Sequence, residues 1–173
     1  MTAVVRPREP DDLDAAAAAL VAVHAADGYP VEGVDDPHAW LSPPGLLAAW
    51  VALLDDAVVG HALVTTPKSG DAAVEAWTAQ GGELSRIAVG GRLFVAPAGR
   101  GHDLGTRLAQ TLTDWAANEG YDLVGDVMEK DQAALRIYER IGWRRIGTAM
   151  HATGHGTEVP ALLFVRPAPG GRG

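Results

Sequence analysis

The sequence contains no cysteine at any of its 173 positions. This absence excludes disulfide bonds and metal sites built from thiolates. It also excludes any mechanism in which a cysteine of the protein attacks a substrate and forms a covalent intermediate. Any chemistry assigned to this chain must therefore proceed without a thiol of its own.

Long apolar runs and an excess of positive charge are also missing. No stretch approaches the roughly 20 apolar residues that a membrane-spanning helix needs, and the first residues lack the basic-then-apolar order of a signal peptide. Lysine and arginine together number 14 against 22 aspartates and glutamates, for a formal net charge of -8. Such a balance argues against binding to the phosphate backbone of nucleic acids. We therefore expect a cytoplasmic protein that binds neither nucleic acid nor membrane.

The chain does carry enough apolar material for one sizeable core, because 47% of its residues are hydrophobic. The residue pattern predicts a strand and a helix, then the order β-β-β-α-β-α-β-β, with mostly hairpin-joined strands. This order favours an α+β fold in one domain over residues 1–166, followed by a disordered tail at 167–173. A dinucleotide-binding fold is disfavoured, because its glycine turn usually follows the first strand, whereas here the turn follows the fourth.

The most informative stretch is RLFVAPAGRGHDLGTRL, residues 92–108, where a strand leads into a glycine-rich turn and then an amphipathic helix. The first amides of a helix have no internal acceptor and lie at the positive end of the helix dipole, so a row of them can bind a pyrophosphate. Glycines at Gly101 and Gly105 remove side chains that would keep a phosphate away from the backbone. The stretch therefore predicts an anion site.

This turn resembles the coenzyme A signature of the GCN5-related N-acetyltransferase (GNAT) family, which reads Arg or Gln, two residues, Gly, one residue, then Gly or Ala. Arg100 and Gly105 match its first and last positions, and Asp103 stands where the middle glycine is usual. A carboxylate there would either repel a pyrophosphate or cap the helix and face solvent. His102 and Arg100 could offset the repulsion.

A second stretch, DQAALRIYERIGW at residues 131–143, is similar to the family's other coenzyme A segment, an Asn-x-x-Ala helix that ends in Tyr-Glu-x-x-Gly-Phe. Asp131 stands in place of the Asn and Trp143 in place of the Phe. With the predicted order of elements, these two segments extend the resemblance over roughly residues 46–166.

The resemblance implies a mixed, mostly antiparallel sheet, flanked by helices and splayed between its fourth and fifth strands, with acetyl-CoA held in the split as co-substrate. The backbone of residues 93–95 would pair with the pantetheine arm, and the amide of Val95 or of a neighbouring residue could stabilise the oxyanion of the thioester. The cofactor-binding residues implied in this way are Leu93, Phe94, Val95, Arg100, Gly101, His102, Asp103, Leu104, Gly105, Asp131, Ala134 and Tyr138.

The resemblance further implies that Tyr138 is the general acid that protonates the departing thiolate. Its spacing alone would favour a core aromatic residue instead. The amine must also lose a proton, and many relatives use a glutamate on the fourth strand, but residues 88–92 contain no carboxylate. Glu83 is the nearest upstream candidate and is taken as the predicted base. The alternatives are a water relay, an already deprotonated substrate, or one of Asp126, Glu129, His24 and His61.

The expected reaction is direct transfer of acetyl from acetyl-CoA to a primary amine of a small molecule. Tyr29 and Trp40, in the irregular segment 27–45, are predicted to bind the acceptor, although aromatic residues often only fill a core. Two alternatives stay open: a protein or peptide N-acetyltransferase, and a noncatalytic acyl-CoA sensor that lacks a base. No metal site is expected, because His151 and His155 have no third ligand nearby. Self-association as a homodimer is compatible with the strand edges near the C-terminus.

Overall fold

A computed structural model describes residues 1–170, in which seven strands form one sheet with helices against both faces. The strands are β1 (Ala3–Pro7), β2 (Leu46–Leu54), β3 (Ala57–Thr65), β4 (Ile87–Val95), β5 (Asp122–Met128), β6 (Arg144–Ala152) and β7 (Glu158–Arg166). Their spatial order is β1-β2-β3-β4-β5-β7-β6. Only the β4–β5 pair is parallel, so the predicted α+β fold with a mixed, mostly antiparallel sheet is confirmed.

The helices are α1 (Leu13–Asp27), α2 (Pro37–Leu41), α3 (Ala72–Ala79), α4 (Leu104–Glu119) and α5 (Gln132–Arg140). Local sequence explains several of their ends. The Asp71 carboxylate accepts hydrogen bonds from the amides of Ala73 and Val74 at the start of α3, and the Asp131 carboxylate accepts one from Ala134 at the start of α5. Side-chain caps of this kind satisfy amides that have no partner inside the helix. None of these helices is long and apolar enough to cross a membrane, within the residues described.

Different helices pack against the two faces of the sheet. On one face α4 and α5 cover a core that includes Leu108, Leu112 and Phe164, and fully burying each such side chain contributes about 2 kcal/mol. On the other face α1 packs with Phe94, and α3 packs with Leu163. Because side chains alternate along a strand, neighbouring residues of β4 and β5 point to opposite sides of the sheet.

β4 and β5 pair over only three residues each, Ile87–Val89 with Asp122–Val124. Directly after these pairs the two strands are in close contact at Gly90 and Gly125. A Cβ atom built on Gly125 would lie only 2.8 Å from the carbonyl oxygen of Gly90, so a larger residue would not fit there. Past this contact β4 continues to Val95 while pairing only with β3 on its other edge. The sheet is therefore splayed between its fourth and fifth strands, as the resemblance implied.

The C-terminal segment differs from the disordered tail expected at 167–173. Ala168 is buried, and its amide donates a 2.8 Å hydrogen bond to the Asp122 carboxylate. This contact anchors the chain just after β7, which a pattern rich in proline and glycine does not reveal. Residues 171–173 lie outside the described residues, and the extent of a single domain over 1–166 stays a prediction.

Candidate active site

A cavity of about 1020 Å³ opens where β4 and β5 separate. Its wall combines the turn after β4, the start of α4, the inner face of α5, part of β5, and the connection that follows α1. Of the twelve residues predicted to bind the cofactor, eleven line this cavity: Leu93, Phe94, Val95, Arg100, Gly101, Asp103, Leu104, Gly105, Asp131, Ala134 and Tyr138. His102 does not contribute to the wall, although it lies within the same turn.

Free backbone amides run through the turn between β4 and α4. From Gly101 to Thr106 no amide has a hydrogen-bond acceptor within residues 1–170. The chain reaches this turn through Gly99, where an added Cβ would lie 2.6 Å from the Val59 side chain, so only glycine fits. Asp103 adopts the left-handed conformation (φ 58°) directly before α4. A row of unsatisfied amides at a helix start is a favourable setting for an anion such as a pyrophosphate.

Two charged side chains of this turn, Arg100 and Asp103, differ in their contacts. The Arg100 guanidinium forms an ion pair with Asp27 at the end of α1, and about half of each side chain is exposed. Asp103 is exposed and makes no side-chain hydrogen bond to the helix start. The Asp103 side chain therefore does not cap α4, which removes one of the two roles considered for it.

The edge of β4 that faces the split is free from Gly90 to Val95. A β-bulge interrupts its pairing with β3 between His61 and Leu63, and Arg92 within the bulge has a positive φ of 49°. An unpaired strand edge offers amides and carbonyls at regular spacing to an extended ligand. This geometry suits the pairing with a pantetheine arm that was expected for residues 93–95.

Tyr138 lies on α5 between the core and the cavity. Its ring is 4.7 Å from that of Trp143 and 6.3 Å from that of Phe164, measured between centroids. Burial, together with the negative charges of Asp131 and Asp126, raises the pKa of the phenol well above its ordinary value. The phenol is thus protonated throughout the neutral pH range, and the side chain is both a core aromatic and a cavity wall residue.

Two residues predicted to bind the acceptor, Tyr29 and Trp40, both line the cavity and contact each other edge-on with centroids 5.9 Å apart. Arg92 lies over the Trp40 ring, with its guanidinium carbon 5.0 Å from the centroid. It also donates a hydrogen bond to the carbonyl oxygen of Trp40. The bulge of β4 thereby holds the aromatic wall in place.

A chain of polar contacts joins four residues of the cavity wall, Trp40, Glu32, His151 and Asp126. The Trp40 indole donates a 2.6 Å hydrogen bond to Glu32 Oε1, and Glu32 Oε2 lies 3.8 Å from His151 Nε2. The other ring nitrogen of His151 is 3.1 Å from Asp126 Oδ2. This hydrogen bond, and the charges of Asp126 and Glu32, raise the pKa of His151 even though partial burial opposes the shift.

The predicted base, Glu83, is not brought to the cavity. It is exposed and precedes β4, whereas the cavity opens past Gly90 at the far part of that strand. The alternatives Glu129 and His24 are also absent from the cavity wall. His61 is fully buried, and burial lowers its pKa to about 4. Of the residues considered for proton removal, only Asp126 reaches the cavity.

Sequence reasoning missed Glu32, Asp71 and Arg92 as cavity residues. Arg92 carried a signal, because it begins the stretch 92–108 that predicts the anion site. Glu32 and Asp71 carried none, because each is one of many acidic residues in polar connections. Over residues 1–170 no group of three or more histidine and acidic residues has the geometry of a metal site.

Comparison with known proteins identifies the class to which this fold and cavity belong. A split sheet with free amides at a helix start is the expected arrangement of an acetyltransferase domain, and the family model described as "Acetyltransferase (GNAT) family" matches residues 16–143. The chain therefore belongs to the GNAT family. A search of curated proteins found no match to this sequence.

Solved structures confirm the fold at low sequence identity. The N-acetyltransferase from Staphylococcus aureus Mu50 is 17% identical with a TM-score of 0.72, covering 96% of this chain and 99% of that one. The ribosomal-protein-S18-alanine N-acetyltransferase from Escherichia coli is 19% identical with a TM-score of 0.72, covering 99% and 97%. NAA60 of Arabidopsis thaliana, solved in complex with acetyl-CoA, is 15% identical with a TM-score of 0.72, covering 95% and 98%.

Proposed function

We propose that this protein transfers the acetyl group of acetyl-CoA to a primary amine of a small molecule. The observation that carries the proposal is the run of free amides from Gly101 to Thr106, which continues from the unpaired edge of β4. The amides suit the pyrophosphate and the strand edge suits the pantetheine arm, so the two features lie in the order that coenzyme A requires. The family and the acetyl-CoA complex of a relative support the same co-substrate.

The reaction needs no covalent intermediate on the protein. Acetyl-CoA supplies an activated thioester carbonyl; the amine nitrogen forms a bond to that carbon, and the bond from carbon to sulfur breaks. Tyr138 gives its phenolic proton to the departing sulfur and regains one from the nitrogen of the product. The free Val95 amide on the β4 edge donates a hydrogen bond to the negative oxygen that forms during attack.

The acceptor side of the cavity favours a small cationic molecule. The Gly154 amide in the turn between β6 and β7 donates a 2.8 Å hydrogen bond to the Val31 carbonyl, so the connection after α1 is fastened across this side. This crossing supports a small acceptor over an extended peptide, because it narrows the access on this side. The wall there includes the carboxylates of Glu32, Asp71 and Asp126, which attract an ammonium group.

Cofactor binding is tested by calorimetry with acetyl-CoA on two variants at one position. Gly105 has room for a Cβ, whose nearest neighbour would be Ile137 Cδ1 at 3.4 Å, and the family signature accepts alanine here, so Gly105→Ala should bind nearly as the wild type does. Gly105→Glu puts a carboxylate beside the amides and should weaken binding about tenfold or more, which corresponds to roughly 1.4 kcal/mol. Equal affinity of both variants would contradict the assigned site.

Catalysis is tested by measuring release of the coenzyme A thiol with a panel of small amines, amino acids and short peptides. Saturable release with small amines is expected. Release only with peptides or protein termini would assign the protein to the class of its protein-modifying relatives. The second candidate function is a noncatalytic acyl-CoA sensor, which the absence of a carboxylate from β4 favours. Tight acetyl-CoA binding without thiol release from any acceptor would support that candidate instead.

A further inference from the structure

We infer that His151, held by Asp126, removes the proton from the acceptor's ammonium group before the amine attacks. The inference rests on the proposed function and supplies the base that β4 lacks. Both side chains line the cavity, each with about 40% of its side chain exposed, so a substrate and water can reach them. Asp126 comes from β5 and His151 from β6, and β7 lies between these two strands in the sheet.

The sheet geometry explains how these two side chains meet. In the register of β5 with β7, Asp126 is opposite Leu163, and in the register of β6 with β7, Ala149 is opposite Ala161. Residues two apart on a strand share a face of the sheet, as do residues opposite each other on paired strands. Asp126 and His151 therefore lie on the same face as Leu163, Ala149 and Ala161, which is the face that α3 covers. The small side chain of Ala161 leaves space for the imidazole to reach across β7.

The contact with Asp126 determines which ring nitrogen can act as a base. An ionised carboxylate only accepts hydrogen bonds, so the proton of a neutral His151 is on Nδ1, which donates to Asp126 Oδ2 over 3.1 Å. The lone pair is then on Nε2, the nitrogen that lies 3.8 Å from Glu32 Oε2. An ammonium group between these two atoms would be attracted by Glu32 and would have a proton acceptor in His151.

Asp126 also links this base to the acid. Burial is the main cause of the raised pKa of Tyr138 and of Tyr29, and the charge of Asp126 raises both further. Asp126, Tyr138, Tyr29 and Glu32 all line the same cavity. Tyr138 belongs to the core on the α4–α5 side and His151 to the α3 side, so an amine that entered from the α3 side would meet the base before the acid.

The charged groups around His151 are mainly negative. Asp126 and Glu32 act directly on the His151 ring. Asp71 interacts with Asp126 and is in turn opposed by Lys68, and Arg92 interacts with Glu32. Carboxylates outnumber cations here, so a cationic imidazole is stabilised and His151 is a stronger base than an isolated histidine.

The proton that His151 takes from the substrate is finally released to water. The ammonium R–NH₃⁺ gives one proton to Nε2 and becomes R–NH₂, while His151 becomes an imidazolium paired with Asp126. The free amine then attacks, and His151 releases its proton to water through the open side of the cavity. In sum, one ammonium and one thioester yield one amide, one thiol and one proton.

The test compares His151→Gln with His155→Gln. His155 is exposed in the turn between β6 and β7 and lies outside the cavity wall. With an acceptor identified by the amine panel, His151→Gln should lower kcat/KM about 100-fold or more at neutral pH, as expected for loss of a general base. His155→Gln should keep wild-type activity. Both should bind acetyl-CoA in calorimetry like the wild type, which shows that the fold and the cofactor site are intact.

Two further readouts separate a base from a merely structural residue. The kcat/KM of the wild type should rise with pH and level off above the pKa of His151, whereas that of His151→Gln should keep rising toward the pKa of the amine. A β-fluorinated analogue of the acceptor, whose ammonium group is more acidic, should recover much of the lost activity of His151→Gln. A structural defect would reduce turnover of both amines equally.

NMR titration of the His151 ring gives a readout that does not depend on turnover. Asp126→Asn should lower the pKa of His151, and should move the rising limb of the pH profile to lower pH. An unchanged pKa in Asp126→Asn, or wild-type kcat/KM in His151→Gln, would overturn this inference while leaving the acetyltransferase proposal standing. No thiol release by the wild type with any amine would overturn both.

Discussion

Arg92 and Trp40 hold each other at the cavity wall: the guanidinium stacks over the indole at 5.0 Å and donates a hydrogen bond to the Trp40 carbonyl. Trp40 also donates to Glu32 and contacts Tyr29 edge-on. A single arginine in the bulge of β4 therefore contacts the tryptophan that in turn contacts Glu32 and Tyr29. Its burial lowers its own pKa, but the side chain keeps its charge at any physiological pH.

Replacing this arginine should impair amine binding more than cofactor binding. We expect Arg92→Leu to raise the KM for the amine about tenfold and to lower the free energy of unfolding by about 2 kcal/mol, because a cation–π contact and a charged hydrogen bond are lost. Arg136→Leu, an exposed arginine on α5, is the matched control. Steady-state kinetics and urea unfolding measure the two effects. An unchanged KM for the amine in Arg92→Leu would mean that the position of Trp40 does not affect acceptor binding.

Asp103 allows a prediction in which function improves. It has a left-handed backbone (φ 58°) and an exposed carboxylate beside the free amides. Asp103→Gly should relieve about 1 kcal/mol of backbone strain and should tighten acetyl-CoA binding, because a charge that repels the phosphates is removed. Thermal unfolding and calorimetry are the measurements.

The control for Asp103→Gly is Asp56→Gly. Asp56 has a φ of 68° in the turn between β2 and β3, outside the cavity wall. The same relief of strain should raise its stability without changing acetyl-CoA affinity. Tighter binding in both variants would mean that backbone stability, and not the carboxylate, controls the cofactor site.

Local signals explain which parts of the fold were predictable. The expectation of hairpin-joined strands holds for β2 and β3, where Asp55 and Asp56 stand between two apolar runs and both adopt positive φ. The cofactor wall was predictable because residues 92–108 and 131–143 are each continuous in sequence. Each segment carries its own turn, cap and apolar face, so no distant contact is needed to recognise it.

The acceptor side was less predictable because it is assembled from distant segments. Asp126 and His151 are 25 residues apart, and their meeting depends on β7 lying between β5 and β6. Glu83 was predicted because it is close to β4 in sequence. It precedes the first residue of β4, however, whereas the cavity lies beside the last residues of that strand. The contact of Ala168 with Asp122 likewise depends on how the strands are ordered.

Tyr138→Phe should separate chemistry from binding. Phenylalanine keeps the packing against Trp143 and Phe164, so the free energy of unfolding and the acetyl-CoA affinity should stay within error of the wild type. Loss of the proton donor should lower kcat about 10- to 100-fold. The matched control is Tyr121→Phe, a tyrosine that stacks on Trp115 away from the cavity. Equal kcat in both variants would remove Tyr138 from the mechanism.

His61 stays neutral inside the fold at neutral pH. Arg8 donates to its Nε2 over 3.0 Å, its Nδ1 donates to the Arg92 carbonyl, and burial lowers its pKa to about 4 from an ordinary value of 6.5. Between these two pH values the unfolded chain binds a proton that the folded chain does not. Folding stability should therefore decrease as the pH falls from 6.5 to 4, by about 3 kcal/mol from this group alone.

Urea unfolding at several pH values measures this loss. His61→Asn keeps a donor near the Arg92 carbonyl but does not titrate, so it should be less stable than the wild type at pH 7 and should lose less stability on acidification. The ion pair of Asp12 with Arg6 lowers the pKa of Asp12, so its stabilisation is lost only at lower pH and equally in both proteins. Parallel pH dependences for the two proteins would mean that His61 is protonated within the fold, and the hydrogen bond it accepts from Arg8 would then have to break.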